Sequence, residues 1–298
     1  DPKAFLNIPR QEAGYRPVNE RIADYSQVEQ TLNTNSRKLQ ASRCMDCGVP
    51  FCHWACPIGN KQPEWQDALY RGKWKEAYEV LSSTCDFPEF TGRICPALCE
   101  KSCVLKLSCD QPVTIRENEA AIVEAAFREG YIQVKTPRRN GKKVAVIGSG
   151  PAGITVAIKL ALAGYKVTIF EERSKIGGML QYGIPEFRLS KSVIDRYKKK
   201  MEELGIRIRP NTVIGSAIVI DNLFRDGYSS VFVGTGVWRP KAIGIKGESL
   251  GNVYFGIDYL RRPEAHQLGE KVAVIGMGNV AMDVARTALR HGAKEVTL

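Results

Sequence analysis

The apolar positions of this chain are most regular in its second half. Residues 144–147 form an uninterrupted apolar run, which predicts a buried parallel strand, and residues 152–164 have the pattern of a helix packed on it. Residues 166–170 and 230–233 predict further strands. Apolar residues at helical spacing also flank a lysine run; they are Val193, Ile194, Tyr197, Met201 and Leu204. This alternation of strands and helices indicates an α/β fold with a parallel sheet.

The first half has a different pattern. Residues 1–40 show little periodicity and predict an extended arm with a short helix near residues 28–39. Three later segments have helical patterns, at residues 63–70, 73–81 and 117–129. A polar linker at 136–141 precedes the first strand. We therefore predict a helical N-terminal domain followed by two Rossmann-like dinucleotide-binding domains, the second truncated, with limits at 1–136, 137–240 and 241–298.

Three glycines follow the first predicted strand at the spacing G-x-G-x-x-G of a dinucleotide-binding fingerprint. Gly148 allows the tight turn, Gly150 lets a pyrophosphate approach the backbone, and Gly153 brings the helix close to the strand. The helix N-terminus then offers N–H groups to the phosphates. Glu171 ends the second strand, where such folds place an acid on the adenosine ribose. The alternative is a glycine-rich turn in an ordinary α/β protein.

A second fingerprint, G-x-G-N-x-A, lies within residues 272–281, before a helix that continues to about Arg290. Its positions are Gly276, Gly278, Asn279 and Ala281. The pattern is weak alone, but its place after a first dinucleotide domain favours a nicotinamide site. Between the two fingerprints, Gly234, Thr235 and Gly236 end a predicted strand at the edge of the sheet that usually faces the cofactor.

All nine cysteines lie between Cys44 and Cys109. Seven form two runs, C-x2-C-x4-C-x3-C-P and C-x3-C-x3-C, which comprise Cys44, Cys47, Cys52 and Cys56, then Cys95, Cys99 and Cys103. Clustered thiolates suit iron-sulfur cubes, and these fit two cubes if another residue type supplies one ligand. Structural zinc is the alternative, although it usually takes paired C-x2-C elements and there is one such pair here. We interpret Cys85 and Cys109 as buried or half-buried small residues, and expect Phe51 and Trp54 to exclude water from a cluster.

Composition narrows the class of protein. With 44% hydrophobic and 25% charged residues, the chain has the composition of a globular protein. No apolar run approaches the roughly 20 residues that span a bilayer, and no signal peptide is visible, so we predict a cytoplasmic protein without a membrane partner. The net charge of +11 is spread along the chain without a nucleic-acid motif, so we predict no nucleic-acid partner. The chain starts at Asp1 and stops at Leu298 inside a predicted strand, so the natural ends can lie outside it.

Four motifs resemble one family closely: CMDCGVPFCHWACP, FPEFTGRICPALCEKSC, PVTIRENE and GKKVAVIGSGPAG. Together with the N-terminal FLNIPRQEAGYRPVNERIADY, they are similar to the small (beta) subunits of NADPH-dependent glutamate synthase, over essentially the whole chain. Related modules occur in dihydropyrimidine dehydrogenase and in a bifurcating ferredoxin:NADP oxidoreductase. The module is therefore more widespread than the reaction.

The resemblance implies two 4Fe-4S clusters with crossed ligands. One cluster would be held by Cys44, Cys47, Cys52 and Cys103, and the other by Cys56, Cys95, Cys99 and Glu119. Glu119 matches the position at which the family places a Gln or Glu ligand. The alternative for Glu119 is a solvated acid near a helix start, where the helix dipole favours it.

The resemblance also assigns the two dinucleotides. FAD would occupy the first fingerprint, with its ADP half lined by Gly148, Gly150, Pro151, Ala152, Gly153 and Glu171. Gly177 and Gly178 would allow close approach near the flavin, and Arg188 would reach a phosphate or ribose unless it is an ordinary surface arginine. The second fingerprint would bind NADPH, with NADH as the alternative.

The implied reaction passes hydride from NADPH to FAD, then single electrons through the clusters to a large (alpha) subunit that makes glutamate from glutamine and 2-oxoglutarate. It demands no acid-base side chain, so no catalytic residue is predicted. One alternative is a subunit that only docks and conducts electrons. Another is an NAD(P)H-dependent iron-sulfur flavoprotein reductase serving a ferredoxin-linked or pyrimidine-reducing partner. Because the family completes its flavin site with a later segment, a chain ending at Leu298 is expected to hold FAD weakly.

Overall fold

A computed structural model describes residues 1–134 and 136–298 and divides the chain into two compact units. The first unit comprises Asp1–Arg16 and Val28–Gln133, and the second comprises Pro17–Gln27 and Val134–Leu298. The second unit thus includes a short N-terminal segment that the sequence pattern did not single out. The predicted limit between the two dinucleotide domains, near residue 240, stays a prediction.

The helices in chain order are α1 (Val18–Arg21), α2 (Thr34–Ser42), α3 (Phe51–Ala55), α4 (Gln62–Tyr70), α5 (Trp74–Ser82), α6 (Pro88–Ile94), α7 (Leu98–Lys101), α8 (Val104–Cys109), α9 (Ile115–Arg128), α10 (Pro151–Leu162), α11 (Met179–Tyr182), α12 (Lys191–Glu203), α13 (Ile220–Arg225), α14 (Gly256–Arg261) and α15 (Asn279–Arg290). Short 3-10 helices occur at Ala4–Leu6 and Pro263–Ala265. The strands are β1 (Lys143–Ile147), β2 (Lys166–Phe170), β3 (Arg207–Arg209), β4 (Tyr228–Val233), β5 (Lys271–Ala273) and β6 (Glu295–Thr297).

The first unit is helical, and its core lies among α4, α5 and α9. Trp65 of α4, Leu81 of α5 and Ile122 of α9 are completely buried. The indole N–H of Trp65 donates to Asn60 at 3.2 Å, so this large residue is buried without an unpaired donor. The helices predicted at 63–70, 73–81 and 117–129 are confirmed as α4, α5 and α9.

The helix expected near residues 28–39 begins later than predicted. It is α2, which starts at Thr34 because the Asn33 side chain accepts a hydrogen bond from the Ser36 N–H at 2.9 Å. That bond caps the helix and ends the extended segment before it. The prediction was therefore wrong for residues 28–33.

The second unit is built on a four-stranded parallel sheet with the order β3-β2-β1-β4. Val146 of central β1 is in register with Ile169 of β2 and Phe232 of β4. The apolar run of β1 is buried, as its sequence predicts for an internal parallel strand. β5 and β6 form a separate two-stranded parallel sheet that flanks α15. The α/β architecture with a helical N-terminal region is thus confirmed.

Helix α12 separates its apolar and basic residues as predicted. Val193, Ile194, Tyr197 and Met201 are buried, whereas Lys198 and Lys199 are exposed. The lysine run is therefore the solvated face of an amphipathic helix. Over residues 1–134 and 136–298, none of the helices has the length and apolar character needed to cross a membrane.

Candidate iron-sulfur and dinucleotide sites

The clustered cysteines lie at or beside the ends of short helices. Cys56 directly follows α3 and Cys95 directly follows α6, while Cys103 directly precedes α8. Two non-glycine residues between cysteines, Asp46 and Ala97, have φ values of +53° and +54°. Such left-handed conformations are costly for residues with a side chain and persist where the surrounding structure requires them. Here they mark sharp turns of the backbone, between Cys44 and Cys47 and between Cys95 and Cys99.

The first group of thiols contains three cysteines of the first run and one of the second. Cys44, Cys47, Cys52 and Cys103 line a single, largely apolar cavity. Burial raises the pKa of the Cys44 thiol to about 12, with Cys103 and Cys47 as contributing neighbours. Burial likewise raises the pKa of Cys52 to about 12, with Cys44 and Cys103 nearby. Burial also raises the pKa of Cys47, and buried thiols that resist ionisation suit a cationic iron centre, which would stabilise their thiolates.

The second group contains the remaining three cysteines and an acid. Burial raises the pKa of Cys95, and the next charges that raise it are those of Glu119 and Cys56. Burial also raises the pKa of Cys99, again with Glu119, Cys95 and Cys56 among its neighbours. The last cysteine of the first run therefore lies with the second run, and the two groups are crossed along the chain.

Glu119 is a buried residue of α9, which excludes the interpretation of a solvated acid at a helix start. Its Oε1 accepts hydrogen bonds from the Thr91 hydroxyl, in a very short contact, and from the Cys85 thiol at 3.8 Å. Burial raises the pKa of this carboxyl to about 7. A buried carboxyl near three thiols is an oxygen donor that a metal centre can use.

The spacing of the donors differs from that of a mononuclear site. Among residues 1–134 and 136–298, no three or more His, Cys, Asp or Glu side chains converge closely enough to hold one metal ion. A 4Fe-4S cube binds each ligand at a different iron, so its four ligands surround the cube instead of meeting at a point. The two crossed groups are compatible with that arrangement.

Trp54 does not shield the thiols as expected, because it is 80% exposed on the short helix α3. Phe51 is 50% exposed but lines the same cavity as Cys44, Cys47, Cys52 and Cys103. The interpretation of Cys85 as a buried small residue is confirmed. Cys109, in contrast, is exposed, so the corresponding expectation for that residue was wrong.

The first glycine fingerprint forms a tight strand-to-helix turn between β1 and α10. Gly148 has a φ of +96°, and a Cβ at this position would collide with the Gly234 carbonyl oxygen. A Cβ at Gly153 would collide with the Gly148 carbonyl oxygen. Pro151 opens α10, where its fixed φ and missing N–H are tolerated. Only this glycine pattern permits the close approach of strand, turn and helix.

Glu171, predicted to bind a ribose, is tied to the same turn. Its Oε2 accepts a hydrogen bond from the Ser149 N–H at 2.9 Å and a very short one from the Ser149 hydroxyl. Its Oε1 accepts from the Arg173 N–H at 2.9 Å. Because the carboxylate is buried and well bonded, it holds the turn in position as well as facing the cleft.

A cleft of about 390 Å³ opens at the carboxyl ends of β1, β2 and β4. Nine of the predicted residues line it: Gly148, Gly150, Pro151, Ala152, Glu171, Gly178, Gly234, Thr235 and Gly236. Gly153 lies beneath the turn, and Gly177 donates its N–H to the Ser149 hydroxyl at 3.2 Å. Sequence reasoning missed Glu172, Trp238 and the segment 212–214, which also line the cleft. Trp238 could have been predicted as a cleft residue, because it is an aromatic residue only two positions after Gly236.

Arg188 does not line the cleft. Its Nη1 lies 2.9 Å from Oδ2 of Asp283, a buried residue of α15. Asp283 Oδ1 also pairs with Arg286 at 2.5 Å. The predicted phosphate or ribose contact of Arg188 therefore has no support in the structure, and its partner is a carboxylate of the second fingerprint helix.

The second fingerprint occupies the turn between β5 and α15. Gly276 has a φ of +133°, and Gly278 directly precedes the first helical residue, Asn279. Ala281 packs back towards Gly276, where a Cβ would lie 3.6 Å from the Ala281 methyl group. The four predicted residues are thus together in one strand-turn-helix unit, with the helix N-terminus free to face an anion.

Two family models match the chain in the same order as these sites. Residues 21–131 match dihydropyrimidine dehydrogenase domain II, 4Fe-4S cluster, and residues 142–298 match pyridine nucleotide-disulphide oxidoreductase. The chain belongs to the pyridine nucleotide-disulphide oxidoreductase family. In this chain, the glycine-lined cleft and the cysteine-rich region lie in one polypeptide.

Several curated relatives of this oxidoreductase are glutamate synthase chains. The glutamate synthase [NADPH] small chain of Mycobacterium tuberculosis is 40% identical over 98% of this chain and 63% of its own length. The Bacillus subtilis small chain is 40% identical over 99% of this chain and 64% of its own length. Glutamate synthase [NADH] of Schizosaccharomyces pombe is 36% identical over 99% of this chain, but over 15% of its own length. The chain therefore spans less than two thirds of these relatives, and the resemblance to small chains predicted from the motifs is confirmed.

Proposed function

We propose that this chain is the electron-input part of a glutamate synthase, which takes electrons from NADPH and delivers them to a large subunit. The observation that carries the proposal is the position of Cys44, Cys47, Cys52 and Cys103 around one cavity, in the same chain as a glycine-lined cleft. Such a combination suits a protein that connects two-electron and one-electron chemistry.

The two groups would hold two 4Fe-4S clusters. Cys44, Cys47, Cys52 and Cys103 would bind one, since they already line one cavity. The other would be bound by Cys56, Cys95, Cys99 and Glu119. The charges of Glu119 and Cys56 contribute to the raised pKa of both Cys95 and Cys99, so these groups lie near one another. The donor chemistry fits, because thiolates are the common ligands of such clusters and a carboxylate can complete a set.

The cleft would hold FAD. The N-terminus of α10 and the turn at Gly148 would receive its pyrophosphate, and Glu171 would reach the ribose with its buried carboxylate. The turn at Gly276 and Gly278 would receive NADPH, with NADH as the alternative donor. Arg188 would not contact the dinucleotide itself, but its pairing with Asp283 would hold α15, the helix of the second fingerprint.

When bound, FAD accepts hydride and the clusters carry single electrons, so the cofactors supply the redox chemistry. The chain's own residues bind, orient and insulate them. No side chain is required as a proton donor or acceptor, which is why no catalytic residue is assigned.

The proposed acceptor is the large subunit of glutamate synthase, which would form glutamate from glutamine and 2-oxoglutarate. This inference is supported by the names of the relatives and by the Schizosaccharomyces pombe protein, in which the matching segment is part of one long polypeptide. We also propose the cytoplasm as the site of action, because all nine cysteines are free thiols and a reducing compartment preserves them.

The test has two stages. The anaerobically purified protein is first assayed for NADPH oxidation with an artificial acceptor, which distinguishes a reductase from a subunit that only conducts electrons. The large subunit, glutamine and 2-oxoglutarate are then added, and we expect NADPH-dependent glutamate formation. Oxidation without glutamate formation would contradict the assignment to glutamate synthase.

A second candidate is an iron-sulfur flavoprotein reductase that serves a pyrimidine-reducing or ferredoxin-linked partner. The observation that favours it is the match of residues 21–131 to dihydropyrimidine dehydrogenase domain II. Reduction of added ferredoxin or of a pyrimidine-reducing partner, in place of glutamate formation, would support this candidate.

A further inference from the structure

The carboxylate of Glu119 is held by one of its two oxygens. Thr91, on the neighbouring helix α6, donates its hydroxyl proton to Oε1, and the Cys85 thiol lies 3.8 Å from the same atom. Cys85 also lies 3.3 Å from the Thr91 hydroxyl oxygen. The three side chains therefore form a compact polar group around Oε1, in which Cys85 and Glu119 are buried and Thr91 is half-buried.

The protons of this group can be assigned. A hydroxyl has one proton, so Thr91 can donate either to Glu119 Oε1 or to the Phe87 carbonyl oxygen, which lies 3.0 Å away. When the carboxylate is ionised, Oε1 is a stronger acceptor than the carbonyl oxygen and receives the Thr91 proton. The Cys85 thiol lies within hydrogen-bond reach of both Oε1 and the Thr91 oxygen.

The backbone holds these hydrogen-bonded side chains in place. Gly92 follows Thr91 in α6, and a Cβ at Gly92 would lie 2.7 Å from the backbone nitrogen of Ala120, which follows Glu119 in α9. The helices therefore touch at the level of the hydrogen bond. Because neither backbone can move closer or slide easily, the hydroxyl meets the carboxylate at a defined angle.

We propose that Thr91 is a positioning residue for Glu119, which fixes Oε1 so that Oε2 is presented to the iron of the cluster bound by Cys56, Cys95 and Cys99. This inference rests on the ligand set given under Proposed function. A hydrogen bond to the outer oxygen of a metal-bound carboxylate orients the ligand and reduces the negative charge on it, as partners of metal ligands commonly do. Cys85 supports Thr91 and is not itself a ligand.

The test compares Thr91→Val, which removes the hydroxyl at nearly constant shape, with Thr91→Ser, which keeps it. Both full-length proteins are purified anaerobically, and the release of iron to a chelator is followed together with the electron paramagnetic resonance spectrum of each cluster. Thr91→Val should release half of its iron roughly 10-fold faster or more than the wild type. The signal of one cluster should change, and Thr91→Ser should restore both properties.

A double variant separates positioning from general stabilisation. In a Glu119→Ala background the hydroxyl has no carboxylate to hold, so Thr91→Val should cause no further change in iron release or in the spectrum. An additional change in that background would overturn the inference, as would a Thr91→Val protein that behaves like the wild type. If Glu119→Ala itself leaves both clusters unchanged, the ligand set of the proposed function is wrong, and that failure is recognised by the single variant alone.

Discussion

Substitution of Gly148 by alanine tests the geometry of the dinucleotide turn. The residue has a φ of +96°, which costs about 1–2 kcal/mol for a residue with a Cβ. The new methyl group would also collide with the Gly234 carbonyl oxygen and lie 3.3 Å from the Thr235 Cα, and overpacking of this kind costs about 1–3 kcal/mol. The lower entropy of the unfolded alanine chain offsets about 0.4–1 kcal/mol. We therefore expect a net loss of about 1–5 kcal/mol in the free energy of unfolding.

Urea unfolding followed by circular dichroism measures this loss. With a slope of about 2–3 kcal/mol per molar urea, the midpoint for the second unit should fall by about 0.3–2.5 M. Gly251→Ala is the matched control, because a Cβ added at Gly251 would meet no other atom within 4 Å and the φ of Gly251 is not left-handed. FAD content should fall in Gly148→Ala alone. Equal stability and equal FAD content in the two variants would refute the account of the turn.

Three further predictions concern charged and exposed groups. Glu171→Gln should destabilise the second unit by about 1–3 kcal/mol in urea unfolding, because an amide group would face the N–H donors of Ser149 or Arg173; an unchanged midpoint would contradict this. Burial lowers the pKa of Lys191 to about 8 from 10.5, so the folded protein binds fewer protons than the unfolded chain in that window. The contribution of Lys191 to the free energy of unfolding should therefore rise by up to about 3 kcal/mol as the pH increases from 8 towards 10.5. Urea unfolding of the wild type and of Lys191→Met at these two pH values should show this rise in the wild type and its loss in the variant. Trp54→Ala should change the free energy of unfolding by less than about 0.5 kcal/mol because Trp54 is exposed, and a larger loss in urea unfolding would show that it packs against a neighbour.

The sequence predicted the parts of the fold that depend on local chemistry. The apolar run of β1, the glycine spacing and Pro151 all specify one strand-turn-helix geometry, and the structure contains it. The helices α4, α5 and α9 were also predictable, because their apolar residues recur at helical spacing. In contrast, α2 was misplaced because its start depends on the side-chain cap of Asn33 and not on periodicity.

The site was predictable as a set of residues but not as a set of contacts. Glycine and cysteine spacings identify many of the residues that line the cleft and the clustered cysteines, whereas the crossed groups and Glu119 were implied by the family resemblance. Spacing does not reveal that Arg188 pairs with Asp283, since the two are distant in sequence and meet only when α15 packs. The exposure of Trp54 was also hidden, because α3 is too short to show which side faces the core. The same limit applies to Thr91, whose contact with Glu119 depends on the closeness of α6 and α9.

The central claim is that the two crossed groups hold two 4Fe-4S clusters. The most direct measurement is the iron, zinc and acid-labile sulfide content of the anaerobically purified protein. We expect equal amounts of iron and sulfide, sufficient for two cubes in each chain, and no stoichiometric zinc. Zinc without sulfide, or iron and sulfide sufficient for a single cube, would contradict it.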